Sequence, residues 1–76
     1  MFIVAKDKKS IINMEQTTSI YIGSDGCTIK ADFKNGKGCQ IARYDTETHS
    51  KIALEMIADS INKTKEIVTM PEEQTI

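Results

Sequence analysis

Tryptophan is absent from the chain, proline and histidine occur once each, and there are only two phenylalanines and two tyrosines. A core so short of large rings has to be aliphatic, assembled from Ile, Val, Leu, Met and Ala. One histidine and two cysteines cannot supply the four good ligands of a structural zinc site. Cys27 and Cys39 stand too far apart to form a CxxC motif. Neither a metal nor a cofactor is therefore expected. Long apolar runs are also missing. Phe2 to Ala5 is a short run that ends at once in the charged cluster Lys6 to Lys9. That is too short for a signal-peptide core or a membrane span. The expectation is a cytoplasmic protein with no membrane contact and two reduced thiols. Neither sign of charge prevails, the net charge being -1. That balance argues against a dedicated nucleic-acid or membrane binder and leaves room only for a local basic patch.

What is present suits one small globule. The 76 residues, 39% hydrophobic and 28% charged, are enough for a single domain and no more. A domain of this size buries only roughly two thirds of its unfolded surface. Its core must come from one helix stripe and one sheet face, and oligomerisation is a natural supplement.

The chain is organised around Asp45 to Asn62, its one long helical pattern. Ala53, Leu54, Ile57 and Ile61 recur at helical spacing, with Lys51, Glu55, Asp59 and Asn62 opposite. Asp45 or Thr46 is the expected N-cap, with Thr46 and His49 as an imperfect capping box. Asn62 is a candidate for a left-handed residue at the far end. Such a stripe needs a sheet to cover.

The strands are short. Phe2 to Ala5, Ile11 to Asn13 and Thr18 to Ile22 read as extended, with a bend over Met14 to Thr17. Cys27 to Phe33 alternates clearly, Ile29, Ala31 and Phe33 facing one way and Thr28, Lys30 and Asp32 the other. Asn35-Gly36 marks a hairpin. A two-residue turn would set Ile41 opposite Lys30. A five-residue loop, with Gly38 in a bulge, pairs Phe33 with Cys39 and Ala31 with Ile41 and is preferred. In that register Cys27 faces the region of Asp45, out of bridging distance of Cys39. Ile41 and Tyr44 cannot share a face of a regular strand, so either a bulge lies near Ala42 or Tyr44 belongs to the turn into the helix. Glu66 to Met70 is a final strand stopped by Pro71, with strand one as its expected neighbour. Residues 72–76 form a polar tail expected to fray. The result is an α+β domain, a small antiparallel meander sheet covered by one helix and followed by a short last strand.

Several segments resemble a group of small uncharacterised proteins from Gram-positive bacteria and their phages. They are Ile11 to Met14, the Ile-Tyr-Ile strand at Ile20 to Ile22, and the hairpin at Asn35 and Gly36. The helix start at Tyr44 and Thr46 and the ending Met70, Pro71, Glu72 complete the set. The chain departs from that group at Ser50 and Lys51, where a small apolar residue is usual. The resemblance implies the fold and a bacterial or phage context, and it brings no activity and no functional residues.

Three candidate sites follow. Ile52 and Met56 flank the helix stripe and widen its apolar face, so that they and His49 are the candidate contact for a protein partner or a second copy. Lys30, Lys34, Lys37 and Arg43 on the hairpin, with Lys6, Lys8 and Lys9 on the first turn, form a phosphate-contacting patch if they coincide in space, with Tyr21 as the one aromatic suited to stacking. Cys39, Cys27 and His49 are the candidate reactive groups. No nucleophile and base are set together by sequence, so catalysis is not expected. The function expected is a non-enzymatic interaction or oligomerisation module using the helix flank or a sheet edge, where edge strands allow self-association by strand pairing, with weak nucleic-acid binding through the hairpin lysines as the alternative.

Overall fold

The computed structural model describes residues 1–72. The part of the expected tail beyond Glu72 lies outside the described residues. In chain order the elements are β1 (Phe2–Val4), β2 (Ile11–Asn13), a 3₁₀ turn (Met14–Gln16), β3 (Thr17–Ile22), β4 (Thr28–Phe33), β5 (Gly38–Arg43), α1 (Glu47–Asn62) and β6 (Ile67–Thr69). The α+β architecture is as expected. Its strands divide into two three-stranded sheets, ordered β2-β1-β6 and β3-β4-β5. The second is an antiparallel meander. In the first, β6 runs parallel to β1, the neighbour expected for it.

The two sheets share one core. Ile3, Ala5, Ile12 and Met70 come from the first, and Ile29, Ala31, Ile41 and Ala42 from the second. Tyr44, Ala53 and Ile57 close it from the helix side. A main-chain bond joins the sheets where β1 ends, Lys6 N–H donating to the Ile41 carbonyl at 3.0 Å. Lys34 N–H, donating to the Gln16 carbonyl at 2.9 Å, extends the β3-β4 pairing.

The hairpin departs from the expected register. Lys34, Asn35 and Gly36 form a three-residue loop, with Phe33 N–H donating to the Lys37 carbonyl at 2.7 Å. Gly36, at φ 84°, takes the left-handed position such a loop requires. The Asn35 side chain accepts from Lys37 N–H, which locks the turn. Ala31 therefore faces Cys39 instead of Ile41. Apolar parity is recovered further along, where the register shifts between Ile29 and Lys30 and leaves Ile41 and Ala42 both buried. The bulge near Ala42 is thus real, and Tyr44 follows β5 fully buried. Gly38 is not the bulge residue. A Cβ there would lie 2.8 Å from the Ala31 carbonyl oxygen and 2.9 Å from an Asp32 carboxylate oxygen, so glycine is needed for close approach.

Thr46 is the N-cap of α1, accepting from His49 N–H at 3.2 Å. The buried side of the helix is Ser50, Ala53, Ile57 and Ser60, whereas Ile61, expected on that side, is 49% exposed. Small side chains let the helix lie close to the strands, and each serine finds an acceptor. Ser50 Oγ donates toward the Gly26 carbonyl and Ser60 Oγ donates to the Met56 carbonyl. Thr64 takes the left-handed position expected of Asn62, at φ 53°. Lys65 N–H then reaches back to the Ser60 carbonyl and Thr64 N–H to that of Ile61, closing the helix in a Schellman arrangement.

Candidate functional site

Alternation in the first sheet decides what its outer face carries. Ile3 pairs with Ile12 and Val68, and all three point into the protein. Phe2, Val4, Ile11, Asn13, Ile67 and Thr69 therefore stand on the other side. Of these, Ile11 is 67% exposed, Ile67 64% and Phe2 45%, and Val4 is partly exposed. Apart from Asn13 and Thr69 this face is apolar, and none of its six residues is charged. The sequence signal for it is in plain view. Phe2-Ile3-Val4, Ile11-Ile12 and Ile67-Val68 are continuous apolar runs, the mark of strands covered on both sides. The single helix packs chiefly on β3 and β4, so the runs predict a cover on the outer side that α1 does not supply. Sequence reasoning that took the helix flank as the only surplus apolar surface passed over them.

A groove of about 450 Å³ opens beside this face, between β2 and the β4-β5 hairpin. Ile11, Ile12, Asn13, Phe33, Lys34 and Cys39 are among its lining residues. The β1-β2 ladder sets the direction of the β2 backbone. Ala5 N–H bonds the Ser10 carbonyl and Met14 N–H bonds the Met1 carbonyl, so the even-numbered residues of β2 turn their main-chain groups to β1. Ile11 and Asn13 then turn theirs outward, on the edge that no strand pairs. The Asn13 carbonyl is engaged by Thr17 Oγ1 at 3.0 Å. The N–H and C=O of Ile11 and the N–H of Asn13 remain as an edge facing the groove.

Ile52, Met56 and His49 do come together, around a small cavity of about 60 Å³ that Tyr44, Ala53, Pro71 and Glu72 also line. Tyr44 Oη donates to the Pro71 carbonyl at 2.8 Å, which holds the chain after β6 against this flank. Ile52 is 49% exposed, while Met56 and His49 are half-buried. His49 Nδ1 lies 2.7 Å from the Thr46 hydroxyl, so the ring shares in the helix cap.

The four hairpin cations do not gather. Lys34 and Lys37 sit at the loop, Lys30 is mid-strand opposite Tyr21 and Gln40, and Arg43 is opposite Thr28. Six residue steps along and just past β4 separate Thr28 from Lys34, roughly 20 Å of strand. Asp32 shares the outer face with Lys30, accepting from Tyr21 Oη at 3.2 Å and lying 3.5 Å from Ser19 Oγ. Desolvation, followed by the Asp32 charge and hydrogen bond, raises the Tyr21 phenol above its ordinary value. An acid amid the cations opposes a phosphate backbone.

Cys27 and Cys39 are both free thiols. The Cys27 carbonyl accepts from Tyr44 N–H at 2.9 Å, which sets Cys27 beside the start of the helix as expected. Desolvation pushes the Cys39 thiol up, the opposite of what activates a nucleophile. Among the described residues no group of acids, cysteines and histidine is arranged to hold a metal ion. Nor is any helix among them long and apolar enough to cross a membrane.

Comparison with protein-family models, with curated proteins and with solved structures finds no match for this chain.

Proposed function

We propose that the protein is a non-enzymatic interaction module whose working surface is the outer face of the β2-β1-β6 sheet. One observation carries this reading: Phe2, Ile11 and Ile67 stand exposed together on an uncharged sheet face. Scattered exposed apolar residues are ordinary, but a contiguous set is the usual mark of a contact surface. Taking about 200 Å² for each large side chain, their exposed parts amount to on the order of 300 Å². A stable interface needs roughly 800 Å² from each partner. The face therefore serves as the centre of a contact that extends beyond it. The flank at Ile52 and Met56 is the second place on the molecule where such a contact is supported, because it too leaves an isoleucine half exposed.

Site-specific photocrosslinking tests the reading. A photoreactive residue at position 11 or 67, in the cells that make the protein, is expected to give discrete adducts identifiable by mass spectrometry. Position 34 is expected to give fewer. Adducts confined to position 52 would move the surface to the helix flank, and no adducts at 11, 67 or 52 would contradict an interaction role.

A further inference from the structure

We infer that the groove beside β2 receives an extended, acidic peptide segment of a partner protein, which adds a strand to the β2-β1-β6 sheet at its β2 edge. The inference rests on the interaction role proposed above and names the partner's chemistry. Three observations support it. First, the Ile11 N–H and C=O and the Asn13 N–H point away from β1, on an edge that no strand pairs. These are the groups an added strand uses. Second, the groove is the right shape and lining for a strand's side chains. It is bounded by Ile11 and Ile12 on one side and Phe33 and Cys39 on the other, with about 450 Å³ between them. Third, its charge has one sign. Lys34 is the one charged residue that lines it, and no acid among the described residues does.

Ile11 belongs both to this edge and to the exposed face. A strand laid along β2 would continue that face, so the contact grows toward the area a specific interface needs. A nucleic-acid strand fits less well. Its backbone has no use for a paired N–H and C=O, and it gains nothing from an isoleucine wall.

Display selection tests the inference. A random octapeptide library is selected on the wild-type protein, with Lys34→Glu as counter-target. The expected winners alternate apolar residues and carry acids. Their synthetic copies should bind the wild type at least about fivefold more tightly than Lys34→Glu, the effect of roughly one kcal/mol from a charge pair. At saturation they should slow hydrogen exchange at the Ile11 amide by about tenfold or more. Winners without acids, equal affinity for both proteins, or an unprotected Ile11 amide would overturn the inference. So would displacement of the peptide by a thymidine dodecamer at lower concentration than by the unlabelled peptide itself. Failure here together with adducts at position 11 removes the added strand and keeps the interaction role. Failure of the adducts removes the role itself. A second copy as occupant is read from the mass in solution, since a dimer split by Ile11→Asp would replace the peptide by the protein's own surface.

Discussion

The two sheets solve the same problem differently. In β3-β4-β5 the strands are six residues long, and β4 alternates, with Ile29 and Ala31 inward and Lys30 and Asp32 outward. On its outer face Asp32 accepts from Tyr21 Oη. In β2-β1-β6 the strands are three residues long and carry large apolar residues on both sides, Asn13 and Thr69 being the polar exceptions. The first sheet thus presents a face whose composition folding does not require. Where a small domain keeps isoleucine in water on one sheet and not on the other, the difference points to use.

That contrast can be broken or sharpened by substitution. The largest effect should come from the inner side of the first sheet, where Ile3 is fully buried. Ile3→Ala is expected to cost about 2–5 kcal/mol in urea denaturation, a large part of what a domain this small has. Next comes the second sheet's close approach at Gly38. Gly38→Ala places a methyl 2.8 Å from the Ala31 carbonyl oxygen. It should cost about 1–3 kcal/mol through a shift of backbone, seen as a lowered denaturation midpoint.

The helix end should respond in the opposite direction. Thr64 is β-branched and sits at positive φ. Thr64→Gly is expected to stabilise the protein by about 0.5–1 kcal/mol, read as a raised melting temperature. The smallest effect on stability should be on the outer face of the first sheet. Ile11→Thr combined with Ile67→Thr keeps β-branching and removes apolar surface. Stability should stay within about 0.5 kcal/mol of wild type, while solubility improves. A loss near that of Ile3→Ala would mean the face belongs to the core.

A pH effect separates the sheets in another way. The Asp25 carboxylate in the β3-β4 turn accepts from the Thr28 hydroxyl at 2.6 Å and from Cys27 N–H at 2.9 Å. These bonds, with that to the Thr28 hydroxyl largest, hold it below the ordinary carboxylate range. A lowered folded-state value adds stability above the unfolded value, near pH 3.9. That contribution is lost as pH falls through the folded value. Wild type should therefore lose more stability below about pH 4 than Asp25→Asn does, in parallel acid titrations followed by circular dichroism.

Much of this architecture is legible in the residues. The alternation of β4 and the Thr46 cap follow from local pattern, and the pairing of β6 with β1 follows from the order of the elements. The hairpin register does not, because a three-residue loop, a two-residue loop and a five-residue loop all use the same Asn35 and Gly36. Only the shift beyond Ile29 shows how apolar parity is restored. The buried stripe of α1 was hard to read for a related reason. Ser50 and Ser60 look polar, yet each is satisfied by a carbonyl, Gly26 and Met56 respectively, and so can lie inside, while Ile61 is left half exposed. The candidate surface was the least legible. Ile11 and Ile67 are far apart in the chain and become neighbours of β1 only once both strands have paired with it.

The central claim is that the first sheet's outer face binds and the second sheet's does not. The most direct measurement compares photocrosslinking at position 11 with that at position 21, one exposed residue from each outer face. The account predicts a discrete adduct from position 11 and little from position 21. Equal yields, or an adduct from position 21 alone, would contradict it.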